Sequence, residues 1–205
     1  GRVAGQIRVG GLVGRTGDSA SIENSFSRGI VSSLDNEAGG IAGANGGNSI
    51  ISDSYSHAEI RGGGLFGGVT GVNFHGSSIK RSYSTGNVHK FSSGGGLVGG
   101  VHKSSISSSF WDINSSGQST SAGEGAVGKS TVEMMNPNTF IDVGWDFNLT
   151  GGTWKMIAGQ TYPHLAWEDL PNTNPFDLNS AAPFQVLENQ TAGTMFGQLT
   201  AKDLD

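Results

Sequence analysis

Ser21-Ile22-Glu23-Asn24-Ser25-Phe26, standing after the glycine-rich turn Gly10-Gly11-Leu12-Val13-Gly14, returns three more times along the chain. The pair of phrases recurs as GGIAG at Gly39 with IISDSY at Ile50, GGLFG at Gly63 with SIKRSY at Ser78, and GGLVG at Gly95 with SISSSF at Ser105. Its isoleucine steps from Ile22 to Ile51, Ile79 and Ile106, intervals of 29, 28 and 27 residues. A unit that short cannot enclose a core of its own, so neighbouring units must stack into a solenoid.

Within each unit the residues after the isoleucine alternate. Ser25, Ser27, Gly29 and Val31 correspond to Ser54, Ser56, Ala58 and Ile60, then to Ser82, Ser84, Gly86 and Val88. On a strand these positions share one face, and that face is small and ends apolar. The opposite face carries Phe26, Arg28 and Ile30, then Tyr55, His57 and Glu59, a mixture that could not be buried without unpaired charges. The serines are therefore expected inward and the aromatics outward. Ile22 also belongs inside, yet it lies three residues from Ser25, so the chain must bend between them. A second column is read as Leu12, Ile41, Leu65 and Leu97, with steps of 29, 24 and 32 residues that place length variation in loops at 32–37 and 68–76.

Composition agrees with a coiled chain. The 205 residues include 35 glycines, which are in register and so read as repeated turns. A net charge of −5, with the few basic residues scattered, argues against a nucleic-acid partner. There is no cysteine, hence no disulfide framework. No apolar run is long enough to insert in a membrane. The opening GRVAGQIRVGGLVG reads like the tail of a preceding repeat.

The phrases GGLVG, NSF and RSYSTGNV closely resemble the GLUG repeat of large bacterial surface and secreted proteins. The resemblance covers residues 1–110 and implies a right-handed parallel β-helix in an adhesin-like or protease-associated extracellular chain. Residues 111–168, with Phe140, Trp145, Phe147, Trp154, Tyr162 and Trp167, resemble the segment that closes such arrays. They are expected to cover the open end of the rod, since an uncovered end is an edge that invites aggregation. A short helical turn is expected at 130–135.

Residues 169–177 read as a proline-punctuated linker. Residues 178–205 resemble the opening of a cadherin-like β-sandwich domain, of which less than half is present. That resemblance implies calcium at Glu188, Asp203 and Asp205, an incomplete set for an ion that takes about six to eight oxygens. No cofactor is expected in the β-helix itself.

Three motifs bear on chemistry. Gly123-Glu124-Gly125-Ala126-Val127-Gly128-Lys129-Ser130 matches a phosphate-binding loop by letters, but neither the buried strand before it nor the long helix after it is present, so a nucleotide is not expected. The spacings Gly62-x-Gly64-x-x-Gly67 and Gly94-x-Gly96-x-x-Gly99 match the dinucleotide fingerprint, yet recur at what read as equivalent corners without a βαβ unit. The histidines, at 57, 75, 89, 102 and 164, lack zinc-site spacing.

The expected function is a non-catalytic structural or binding module of a bacterial cell-surface or secreted adhesin, with a glycan or protein as ligand. The contact candidates are Phe26, Tyr55, Tyr83 and Phe110, one aromatic column down the rod. The alternative for that column is that its rings stack on one another or lie under a loop. The alternatives for the function are a polysaccharide lyase or hydrolase, since parallel β-helices also host carbohydrate chemistry, and an accessory domain of a secreted protease.

Overall fold

The computed structural model describes residues 1–89 and 94–169. Contacts divide the chain into two units, Gly1–Ala166 and Trp167–Asp205. In the first, the chain winds as a β-solenoid of about four coils, each adding one short strand to each of up to five parallel ladders. In the second coil these strands are Ala38–Gly39, Ala42–Asn45, Ile50–Ser52, Tyr55–Ser56 and Glu59–Gly62. Arg2–Gly5 stacks on Ile30–Ser33 and so contributes one strand ahead of the first full coil. The expected linker and cadherin-like segment, with Glu188, Asp203 and Asp205, lie outside the described residues.

The isoleucine column forms in register, Ile22 on Ile51 on Ile79 on Ile106. The predicted bend follows it directly: Asn24, Asp53, Arg81 and Ser108 have φ of +47°, +46°, +42° and +47°. A left-handed residue costs a non-glycine side chain roughly 1 kcal/mol or more, and the next serine offsets that cost. Ser54 Oγ donates to the Ser52 carbonyl at 2.7 Å and accepts the Ser25 amide of the coil before at 3.2 Å. Ser82 and Ser109 repeat the arrangement one coil further on. Each serine thus ties its own bend and the amide below it.

The other corner is built from glycine. Register runs Gly10, Gly39, Gly67, Gly95, which makes the motif GGxxG in every coil and gives the apolar column as Leu12, Ile41, Val69 and Leu97. Leu65 is not its third member, as the letters of GGLFG suggested. Leu65 precedes Phe66, whose partner is Ala38, and the Ile41 amide donates to the Val69 carbonyl at 2.8 Å. The steps are therefore 29, 28 and 28 residues, and residues 70–74 form a strand rather than a variable loop. For the same reason Gly62 and Gly94 do not occupy equivalent corners, since Gly94 pairs with Phe66.

Small residues are required here because two walls of the coil nearly touch. A Cβ on Gly40 would lie 1.9 Å from Ser56 Oγ, and one on Gly68 would lie 2.3 Å from Ser84 Oγ. Glycine on one wall and serine on the other leave no room for a methyl group. The apolar interior lies beside this pinch and holds Ile41, Ala42, Ile51, Val69, Ile79, Leu97 and Val98. Along one side runs a polar ladder: Thr16 Oγ1 donates to Asn45 Oδ1, Asn45 Nδ2 to Asn73 Oδ1, and Asn73 Nδ2 to the Ser105 carbonyl, at 2.7, 2.8 and 3.1 Å. Buried amides are tolerated because each finds its partner in the next coil.

The end of the solenoid is closed differently from expectation. In the fourth coil Trp111 stands where the other coils have serine, its ring within 1.9 Å of where a Gly96 Cβ would be, and it joins the interior cluster. A partial fifth coil then lies across the end. The Gly96 amide donates to the Thr120 carbonyl, the Ala122 amide to the Val98 carbonyl, and Ala126–Lys129 pairs in parallel with Ser109–Asp112. Five of the bulky aromatics expected at this end, Phe140, Trp145, Phe147, Trp154 and Tyr162, lie instead along the side.

Candidate functional site

Phe26, Tyr55, Tyr83 and Phe110 do form one column, with Phe26–Tyr55 and Tyr55–Tyr83 stacked at 5.1 Å between centroids and 9° between planes. They point away from the interior, as the alternation requires, but not into solvent. Tyr55, Tyr83 and Phe110 are buried and Phe26 is half-buried. Their cover is residues 130–165, folded back along the flank of the coils. Two one-turn helices, α1 at Thr131–Met134 and α2 at Asn138–Ile141, and the antiparallel pair Trp154–Lys155 with His164–Leu165 deliver Met134, Phe140, Trp145, Trp154 and Leu165 onto the column.

The flank is keyed by hydrogen bonds as well as by rings. Tyr83 Oη donates to the Pro163 carbonyl, and Trp145 Nε1 donates to the carbonyl of Ser108, a bend residue, at 2.8 Å. Ser108 Oγ donates back to Val143 O at 3.0 Å. Tyr83 lies 6.0–6.4 Å from the rings of Phe140, Trp145, Trp154 and Tyr162. The column is therefore an internal joint, and an external ligand finds Tyr55 and Tyr83 already covered. Phe26, with the Arg28 guanidinium 4.9 Å above its ring, is the member left at the margin.

Asp112 anchors the start of the flank. Fully buried, it accepts the Asn114 and Ser115 amides at 2.8 and 3.1 Å through Oδ1, and Thr131 Oγ1 and Tyr162 Oη at 2.7 and 2.6 Å through Oδ2. Burial pushes its carboxyl up, but these four donors outweigh that and hold it below the usual carboxylate range. Burial, then the bond to Asp112, pushes the Tyr162 phenol up to about 12. His57, seated among Tyr55, Tyr83 and Tyr162 with Nδ1 on Thr85 Oγ1, is lowered to about 4 by burial and by the Arg28 charge.

The remaining charge constellation on the bend column resolves into one staple. Arg81 holds Asp53 through two bonds, Nε to Oδ1 at 2.7 Å and Nη2 to Oδ2 at 2.6 Å. Glu23 and Lys80 sit in one ladder with Ser52 between them. Among the described residues no group of three or more His, Cys, Asp or Glu side chains could hold a metal ion.

The phosphate-loop match is structural in detail. Residues 126–129 are the closing strand, and Ser130 caps α1 in a reciprocal box with Glu133. A Cβ on Gly125 would lie 1.7 Å from the Ile106 carbonyl, so the loop lies flat on the fourth coil instead of arching around an anion. Lys129 Nζ reaches Glu133 Oε1 at 3.3 Å. The short turn at 123–125 skips part of the fourth coil and leaves an open notch of about 510 Å³ over Val101, Ser105 and Ile106.

The sequence pattern alone points the flank residues that complete this arrangement to the end of the rod, whereas the structure lays them along its side. Their signal is the crowding of aromatics after Met135, which need a surface, beside an aromatic column that needs a cover.

Comparison with known proteins bears on the coils directly. Residues 5–32 match the GLUG motif. The chain is 32% identical over 151 residues to the "Putative Gly-rich membrane protein" of Evansella cellulosilytica, covering 71% of this chain and 14% of that protein. It is 34% identical over 187 residues to the halomucin of Haloquadratum walsbyi, covering 88% of this chain and 2% of that protein. The chain thus spans a small fraction of either relative's length. No solved structure matches. No helix among the described residues is long and apolar enough to cross a membrane.

Proposed function

We propose that this chain is a non-catalytic module of a large cell-surface or secreted protein, a stiff segment that holds and presents adhesive contacts. The observation that carries the reading is how the polar groups are used. Serines and asparagines bind the next coil, Asp53 binds Arg81, and Asp112 ties the flank to the coils. A stack of in-register coils locked by a lateral flank suits mechanical extension. The similarity of most of the chain to short stretches of a membrane protein and a halomucin, both far longer, supports a surface setting.

The adhesive part of the proposal assigns the contact to the outer surface of the coils near Phe26 and Arg28, with a glycan or a protein as ligand. Displayed on non-adherent cells, the chain should raise attachment to glycan- or protein-coated surfaces, and Phe26→Ser with Arg28→Ser should reduce it. Attachment no higher than that of cells displaying an unrelated β-solenoid would refute the adhesive role.

A further inference from the structure

Between the fourth coil and the partial fifth one, the turn at 123–125 leaves a notch of about 510 Å³, lined besides by Val101, Ser104, Ser105 and Ile106. It is a gap within the chain's own winding, because the fifth coil is in place on both sides of it, at Ala122 on Val98 and at Ala126–Lys129 on Ser109–Asp112. Val101 and Ile106 pack against the interior cluster and give the notch an apolar floor, while Ser105 and Glu124 are exposed at its rim. A strand cannot be laid in it. A Cβ on Gly125 would lie 1.7 Å from the Ile106 carbonyl and one on Gly123 2.6 Å from Ile106 Cδ1, so the turn already occupies that edge. What fits is a compact group with one apolar face and a polar rim, in a space of the size small ligands fill.

From the notch a corner of cations and rings runs back along the coils. Its left-handed position is Asp18, Gly47, His75 and Lys103 in successive coils, with φ of +56°, +64°, +52° and +48°. Glycine, aspartate and histidine are at home there, whereas lysine is an uncommon occupant. The residue before it is Gly46 in the second coil, Phe74 in the third and His102 in the fourth. The His75 ring lies 6.0 Å from that of His102 and 4.8 Å from that of Phe74. The Phe74 ring lies across Gly46, where a Cβ would stand 2.5 Å away, and reaches the Arg15 guanidinium of the first coil at 5.5 Å. Arg8, Arg61, Arg81 and Lys129 each pair with a carboxylate, but among the described residues Arg15 and Lys103 have no such partner. The carboxylates beside the corner are Asp18 at its far end and Glu124 in the notch.

We infer that the notch and this corner together bind an acidic oligosaccharide. A sugar ring has the two-sided character of the notch, with a C–H face for Val101 and Ile106 and hydroxyls for Ser105 and Glu124. Carboxylate or sulfate groups on the following sugars meet Lys103 and Arg15, and Phe74 with the two histidine rings gives the ligand a platform. The backbones of Lys103 and Arg15 are three coils apart, about 14 Å at about 4.8 Å a coil. Several linked sugars are therefore needed to touch both. The site is separate from Phe26 and Arg28 and does not rest on the adhesive reading.

Calorimetric titration of the chain with a uronate oligomer, a sulfated dextran oligomer and neutral dextran of equal length tests this. One or both acidic oligomers should bind, which also tells carboxylate from sulfate, and neutral dextran should bind at least about tenfold more weakly. Arg15→Gln with Lys103→Gln should cost about tenfold or more in affinity. Ser105→Trp, which fills the notch from an exposed position, should do the same with an unchanged melting temperature. No binding of either acidic oligomer at millimolar concentration, full affinity in either variant, or equal affinity for neutral dextran overturns the inference. Equal affinity for duplex DNA also overturns it, because charge alone would then explain the capture.

Discussion

Tyr83→Ala tests whether the flank is bound to the coils through the aromatic column. The ring is fully buried, stacked on Tyr55, and ringed by Phe140, Trp145, Trp154 and Tyr162, while its hydroxyl holds the buried Pro163 carbonyl. Truncating a buried aromatic to alanine costs about 3–5 kcal/mol, and the orphaned carbonyl adds about 1 kcal/mol. For a domain of this size each kcal/mol lowers the melting temperature by about 2–4 °C, so a fall on the order of 10 °C is expected. Tyr83→Phe removes only the hydroxyl and should cost about 1 kcal/mol. The loss should be local in character. Hydrogen exchange should quicken at amides of 131–141 while the Ser54 and Ser82 amides stay protected, and emission of Trp145 and Trp154 should shift to the red. A fall of less than about 3 °C with unchanged exchange in the flank would refute the joint, because an exposed tyrosine costs about that little.

His57 is lowered to about 4, well below the ordinary histidine value, so the folded state resists its protonation. The stability it protects is whole above pH ~6.5 and is lost as pH falls toward 4, on the order of 2–3 kcal/mol. Urea midpoints measured across that window should flatten in His57→Gln, and parallel curves for the two proteins would refute the assignment. Trp145→Phe and Trp154→Phe make the same truncation, but Trp145 Nε1 has an acceptor, and Trp154 Nε1 has none among the described residues. Trp145→Phe should therefore be the more destabilising by about 1 kcal/mol, and the reverse order in denaturant melts would show the flank seated otherwise. Lys129→Ala should leave calorimetric titrations with magnesium and ATP as featureless as those of the parent; micromolar binding by the parent would restore the phosphate-loop reading. Calcium should raise the melting temperature of a chain extended through a whole repeat after Asp205 and hardly move the present one. Equal shifts, or none in the longer form, would refute the carry-over to Glu188, Asp203 and Asp205.

The coils were legible in the sequence wherever two conditions met: a residue type with a steric reason, and a constant step. Ile22, Ile51, Ile79 and Ile106 satisfied both, and so did the serine that follows each bend, because a three-residue separation cannot keep two side chains on one straight face. The glycine corner satisfied only the first. GGLFG at Gly63 has the better letters, yet a column stepping by 24 and then 32 residues beside one stepping by 28 and 27 would tear the ladders between coils. The correct phrase, Gly67-Gly68-Val69-Thr70-Gly71, is four residues on and preserves the step. Constancy of step was the stronger criterion, since hydrogen bonds between coils enforce it at every residue, whereas an apolar wall accepts valine as readily as leucine.

The flank escaped for a different reason. Residues 130–165 do not repeat, and their helices and strands are too short to show a period, so nothing local says which surface they cover. The information lay in complementarity. A column of three fully or nearly buried rings and one marginal ring cannot be left open beside Arg28 and His57 without exposing a broad apolar stripe. The chain that follows supplies four large apolar residues, Phe140, Trp145, Trp154 and Leu165, that need a surface of that kind. Closing the end, by contrast, takes a partial fifth coil and only one residue of unusual size beneath it, Trp111, in the column where every other coil has serine. The end needed one large side chain in the small-residue column; the side needed many on a segment free to fold back, and the aromatics after Met135 belong to that segment.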